Sequence, residues 1–338
     1  MTQDKHRVTY NMTRHIKLNE SFAESNVGLD EPLHLINPIG TSIIGATKGN
    51  AELEPEPQTR ALMISTMNKI LQKYNESIVV NVTAREALTG RAAPILGRLR
   101  SMMEMFGVQG VRVPMLDLKE NKFGFVMVAN NTWEGPFEVY TGYQATAVRL
   151  GDLYKYRGQS RQTIYQGRCN RLKASMGELR PIPVGVEQVL EIFMPRLCRI
   201  VHLRPVGVQK QREGLAIDYI ISPDDFLSAD MNPDNRCYCI NGTANNYCSL
   251  NGVIELGPCA HYAPILIGMN SITPDRRMTD TLQNSLDDYV DELMRNDVSS
   301  LPSNTTNHLL VLRRLGLTIQ ADMTLIMFVK IEQDSRFR

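Results

Sequence analysis

Six cysteines, Cys169, Cys198, Cys237, Cys239, Cys248 and Cys259, lie in the middle of this 338-residue chain, with none before or after that stretch. Thiols in such a cluster support disulfide bonding, metal binding or redox exchange. Seven Asn-x-Ser/Thr sequons, at Asn11, Asn19, Asn75, Asn81, Asn130, Asn241 and Asn304, accompany them, and Asn241 falls between Cys239 and Cys248. An even cysteine count with a glycan acceptor between two of its members points to an oxidising, secretory environment. The chain reads as an ectodomain.

Zinc is the competing use of the cysteines, since Cys237-Tyr-Cys239 followed by Cys248 and Cys259 resembles ligand spacing. Structural zinc sites pair ligands as C-x2-4-C, whereas this pair is C-x-C and His261 has no partner histidine. No metal and no cofactor are expected. There is no G-x-S-x-G, H-E-x-x-H, P-loop or G-x-G-x-x-G after a strand, and the six histidines are scattered. The pairs Asp224-Asp225 and Asp287-Asp288 read as solvated turn and helix-face acids. With every thiol bridged, no cysteine nucleophile remains, so no catalytic residue is assigned and the chain is not expected to be an enzyme.

The elements that must position these residues change character along the chain. Residues 7 to 50 show short alternating bursts broken by Asn, Gly and Pro, a strand-and-turn pattern. Residues 59 to 106 read as a helical insert: Met63, Met67, Ile70 and Tyr74 recur at i, i+4, i+7 and i+11, and further helices fit Ala84 to Leu88 and Ile95 to Phe106. The methionines there fit adaptable core filling. Short strands return from 108 to 269, including Phe137 to Tyr140 and Ile217 to Ile221, and a last amphipathic helix fits 279 to 294.

A net charge of +1, with 43% hydrophobic and 22% charged residues, fits an ordinary globular protein and argues against nucleic acid as a partner. Basic residues still cluster locally, at Lys155, Arg157, Arg161, Arg168, Arg171 and Lys173 and at Arg196, Arg199, Arg204, Lys210 and Arg212. Either acids elsewhere in the fold balance these runs or they form an anion-binding patch. No apolar run reaches the 18 or so residues of a membrane helix, and the N-terminus has no signal-peptide core. Secretory chemistry without an entry signal predicts that the chain is part of a longer protein.

Several blocks carry a family resemblance. Phe123-Gly-Phe-Val-Met-Val-Ala-Asn-Asn-Thr-Trp-Glu-Gly-Pro-Phe-Glu-Val-Tyr-Thr-Gly142 resembles a segment of the class B scavenger receptor family. Asn26 to Pro38, Val82 to Gly90, Leu197-Cys-Arg199, Asn232 to Cys239 and Gly252 to Pro264 resemble further family blocks in the same order. Coverage runs from about residue 7 to 330 and includes all six cysteines. Departures fall at Ala174-Ser-Met-Gly177, Gly268 to Ile272 and Arg313 to Leu317, in turns outside the cysteine framework. The resemblance implies an α+β fold: a single ectodomain fragment over 1–338, built as an antiparallel β-barrel-like body with a helical bundle at its apex (59–106), a disulfide-rich region (169–259) and an internal lipid tunnel.

The family positions also imply the pairings Cys169–Cys237, Cys198–Cys259 and Cys239–Cys248, among fifteen connectivities that the sequence alone leaves open. They imply a membrane glycoprotein, anchored through flanking helices absent from this chain, whose ectodomain is extracellular at the cell surface or lies in the lysosomal lumen. Lipids, fatty acids or lipoprotein particles would be captured at the apex and passed toward the membrane. The alternative is a lysosomal-type sorting receptor that holds a partner hydrolase through the apex. Lys69 and Lys73, four residues apart beside the apolar stripe, are the expected ligand-binding cations, and Asn81, Asn130 and Asn241 the expected glycan acceptors.

Overall fold

The computed structural model describes residues 5–16, 28–105, 116–117, 121–124, 130–239, 248, 250–259, 265–269, 308–322 and 325–329. The helix expected at 279–294 and the strand expected at Val111 to Val113 lie outside these residues. The chain opens with strands β1 (Arg7–Thr13) and β2 (Pro32–Ile36). Helices α1 (Pro38–Leu53) and α2 (Pro57–Lys73), strand β3 (Val79–Thr83), helix α3 (Ala84–Thr89), strand β4 (Arg91–Ala92) and helix α4 (Ile95–Met105) follow. Then come β5 (Leu116–Asp117), β6 (Lys122–Phe123), β7 (Trp133–Tyr140), β8 (Leu153–Tyr156), β9 (Leu190–Met194), β10 (Arg199–Gln211) and β11 (Gly214–Ile221). The last strands are β12 (Val253–Glu255), β13 (Ile265–Met269), β14 (His308–Leu312), β15 (Leu317–Asp322) and β16 (Leu325–Val329).

The strand pattern read over residues 7 to 50 needs correction, because α1 occupies its last part. Asn37 caps this helix, its side chain accepting the Ile39 N–H, and Pro38 sits at the first helical position, where a missing N–H costs nothing. Ile39, Ile43, Thr47 and Ala51 then recur every four residues and are buried. The glycines among them gave the segment the look of loops. Helix α3 begins with a reciprocal capping box in which the Thr83 hydroxyl accepts the Glu86 N–H at 3.1 Å while Glu86 Oε2 accepts the Thr83 N–H at 3.0 Å.

The body is a curled antiparallel half-barrel. Five strands run in the order β15-β14-β11-β10-β9, with three-stranded sheets β1-β7-β8 and β12-β13-β16 beside them. Successive residues point to opposite faces, so Ile192 and Val201 enter one cluster with Leu203, Ile217, Tyr219, Ile254 and Ile267, while Phe193 and Ile200 enter another with Phe137, Val139 and Leu153. Near β9 the sheet is therefore buried on both faces.

A short segment, 174–180, reaches both edges of the five-stranded sheet. At one edge the Ser175 N–H donates to the Glu191 carbonyl at 3.0 Å and the Ser175 carbonyl accepts the Phe193 N–H at 2.8 Å; at the other, the Thr318 N–H donates to the Glu178 carbonyl at 3.1 Å. Two glycines allow this close approach. A Cβ on Gly151 would lie 2.2 Å from the Leu179 carbonyl oxygen, and one on Gly316 would lie 2.3 Å from that of Arg180. One of the turns in which the sequence departs from its family pattern, Ala174 to Gly177, is thus part of this seam.

Candidate functional site

Lys69 and Lys73 are exposed on α2, one turn apart. Lys73 Nζ lies 5.9 Å from the centre of the Tyr74 ring. The apolar stripe beside them is packed: Met67, Ile70 and Tyr74 lie against a cluster of Ile39, Ile43, Leu71, Ala93, Ile95, Leu96 and Phe123. The lysines therefore flank a filled helical seam. A buried polar knot, invisible to spacing arguments, holds the end of α2. Asn37 Nδ2 donates to Glu76 Oε2 at 2.6 Å and to the Ser77 carbonyl at 2.8 Å, while Arg91 Nη2 donates to Asn37 Oδ1 at 2.9 Å and to Glu76 at 3.1 Å.

The cysteines pair as Cys169–Cys237, Cys198–Cys259 and Cys239–Cys248, with Cα separations of 5.7, 5.9 and 5.7 Å. In the chain-entropy picture the two long loops each contribute about 4 kcal/mol and the short one about 3. Cys169–Cys237 ties the loop after β8 to the loop after β11, Cys198–Cys259 ties the β9–β10 turn to the segment after β12, and Cys239–Cys248 joins two points of the segment between β11 and β12. Among the described residues no group of three or more His, Cys, Asp or Glu side chains is placed to hold a metal.

A polar cavity of about 310 Å³ lies against this region, lined by Arg168, Arg171, His202, Arg204, Asp224, Asp225 and Asp234 among others. Its cations are paired: Arg168 with Asp234, Arg171 with Glu191 and Arg204 with Asp224. Lys155 lies 4.0 Å from Glu138. Acids from other elements thus balance much of the basic runs. Asp225, read from sequence as a solvated turn acid, is instead buried and accepts from His202 at both oxygens. Hydrogen bonds from His202 to Asp225 and then Glu191 push the imidazole pKa up to about 9. A smaller cavity nearby is lined by Arg199, Tyr238, Cys239, Cys248 and Glu255. Arg199 is 4% exposed with its guanidinium carbon 3.6 Å from the Tyr238 ring centre, and burial pushes the Glu255 carboxyl up to about 7.

Of the expected glycan acceptors, Asn81 is exposed in the middle of β3. Asn130 is half-buried, with Oδ1 accepting the Ile16 N–H at 2.8 Å. Asn241 lies outside the described residues.

The chain shares 25% identity with protein peste of Drosophila melanogaster over 151 residues, 44% of this chain and 26% of that protein. It shares 32% with sensory neuron membrane protein 2 of Ostrinia furnacalis over 149 residues, 41% of this chain and 28% of the relative. It shares 25% with scavenger receptor class B member 1 of Mus musculus over 222 residues, 65% of this chain and 39% of the receptor. The matched part thus spans between about a quarter and two fifths of these relatives' lengths. The sequence model of the CD36 family matches residues 1–271, four fifths of the chain, and includes every cysteine. The chain therefore belongs to the CD36 family.

Proposed function

We propose that the chain is ectodomain from a membrane receptor that binds lipids or lipoprotein particles and hands hydrophobic ligand toward the bilayer. The match to the CD36 family over residues 1–271 carries this reading, supported by relatives named as scavenger receptors and sensory neuron membrane proteins. Capture occurs at the helical region through Lys69 and Lys73, with delivery through an internal tunnel. Exposing an acyl chain to water costs about 0.8 kcal/mol per methylene, so delivery needs a dry path. The larger cavity is polar, so the tunnel belongs to the proposal and not to the observed structure. Capture and delivery require no covalent chemistry and no cofactor.

The test is native mass spectrometry of the glycosylated chain secreted from a eukaryotic host, with extraction and identification of bound lipid. Recovery of stoichiometric lipid supports the proposal. A stoichiometric hydrolase without lipid replaces it with the sorting-receptor reading.

A further inference from the structure

The smaller cavity, about 40 Å³ in volume, is walled by Arg199 at the start of β10, Asp225, Tyr238 and Glu255 at the end of β12, beside the Cys239–Cys248 bridge. That volume suits one or two water-sized occupants. Arg199 is 4% exposed, and its Nε has no acceptor. Among the described residues no carboxylate is ion-paired with it. The Tyr238 ring, 3.6 Å from the guanidinium carbon, covers one face of the planar group and leaves its N–H groups directed outward along the edge.

Two carboxyl groups share the cavity, and below pH 7 neither supplies the missing charge. Asp225 is held at both oxygens by His202, whose ring stays protonated up to about pH 9. Glu255 is raised to about 7 by burial alone, with no cation drawing it back down. Below that pH it is a neutral acid with an O–H to donate. Tyr165, edge-on to Tyr238 with ring centres 5.0 Å apart, is pushed up to about 12 by burial and brings no charge.

A buried cation without a counter-ion is costly and is normally compensated. We propose that the cavity holds a small monovalent anion, with chloride the abundant candidate outside the cell, between the Arg199 guanidinium and the Glu255 carboxyl. Guanidinium N–H groups and an acid O–H are donors that suit a spherical acceptor, whose single charge balances one guanidinium. Pockets for organic ligands run to about 300 Å³ or more, so a lipid headgroup does not fit. Above pH 7 the ionised Glu255 becomes the anion facing Arg199 and repels the guest, so anion and proton bind together. The site is independent of the lipid-binding reading.

The experiment titrates sodium chloride against the full glycosylated chain and reads saturable broadening of the chlorine NMR line. The expected affinity falls about tenfold between pH 6 and pH 8, as linkage to one proton with a pKa near 7 requires. Glu255→Gln keeps an N–H donor at every pH and should bind chloride with an affinity that no longer changes over that range. Arg199→Gln, checked for folding by its thermal melt, should lose the saturable broadening. Absence of saturable broadening at pH 6 means that the cavity holds water alone. An affinity that is flat with pH in the unaltered chain, a pH dependence that survives Glu255→Gln, or binding that survives Arg199→Gln places the anion elsewhere. Each of these results overturns the inference and leaves the lipid-binding reading untouched.

Discussion

His202 Nδ1 lies 2.8 Å from Asp225 Oδ1, and the backbone N–H of the same histidine donates to Asp225 Oδ2 at 2.6 Å. One buried carboxylate therefore fixes both the ring and the main chain of β10 beside the disulfide-rich region. With the folded pKa raised to about 9 from 6.5, the stabilisation is complete below about pH 6.5 and is lost as the pH rises through 9. The side chain is 39% exposed, so solvent screening reduces the effect to on the order of 1 kcal/mol. Thermal melts should show a Tm falling between pH 6.5 and 9, and His202→Gln should flatten that slope. An unchanged slope in the variant would refute the assignment.

Glu255 titrates in a different window. Its carboxyl is raised by burial to about 7 from 4.5, so the folded state favours the protonated acid. Stability from this group is complete below about pH 4.5, declines as the pH rises toward 7 and levels off above it, a loss of roughly 3 kcal/mol. Glu255→Gln mimics the neutral acid and should remove the decline between pH 4.5 and 7 while leaving the His202 slope above it. If denaturation midpoints show no difference between the two proteins at pH 7, Glu255 is solvated.

The sequence told most where one local rule dominates. The stripe Met63, Met67, Ile70 and Tyr74 marks α2 because a helix turns one face inward every three to four residues, and Ile217 to Ile221 marks β11 because its alternate residues are buried and three of its five are isoleucine. Helix α1 was missed because its glycines and hydroxylated residues outweighed the spacing of Ile39, Ile43 and Ala51. Long-range partners left no local trace at all. Nothing at Asp225 announces His202, 23 residues away, and nothing at Arg180 announces Thr318, 138 residues away. The Asn37, Glu76 and Arg91 knot is illegible for the same reason: its members come from three elements and meet only after folding.

Gly151 and Gly158 make a matched test of the seam, with φ of 78° and 79°. A Cβ at Gly158 meets nothing within 4 Å, whereas one at Gly151 strikes the Leu179 carbonyl. Gly158→Ala should cost about 1 kcal/mol, the conformational penalty alone. Gly151→Ala adds the displacement of the 174–180 segment and should cost about 2–4 kcal/mol. Equal denaturant midpoints for the two variants would show that the seam does not constrain the fold.

Asn81 and Asn130 should carry N-linked glycans, as should Asn241. Asn81 projects from an exposed strand position, and Asn130 uses only Oδ1 in its hydrogen bond to Ile16, leaving the amide nitrogen that bears a glycan. Glycopeptide mass spectrometry of protein from a eukaryotic secretory host reads this directly. Finding all three sites bare would refute the ectodomain topology.

Lys69 and Lys73 should provide a cationic landing site for anionic lipid. Both are exposed on one side of α2, and the packed stripe of Met67, Ile70 and Tyr74 beneath them holds the helix in place. Because that stripe is half-buried and packed against the helical core, attraction at this surface comes mainly from charge, with the lysine stems adding apolar contact. Replacing both lysines with Ala should weaken binding of anionic vesicles about three- to tenfold at low salt, as expected for two exposed charges worth a fraction of a kcal/mol each. The difference should shrink toward nothing by 0.5 M salt, where the screening length is well below its physiological value of about 8 Å. Neutral vesicles should not distinguish the two proteins. Unchanged affinity for anionic vesicles at low salt would mean that the two lysines are simply solvated, and a loss that persists at high salt would mean that the substitutions had disturbed the helix.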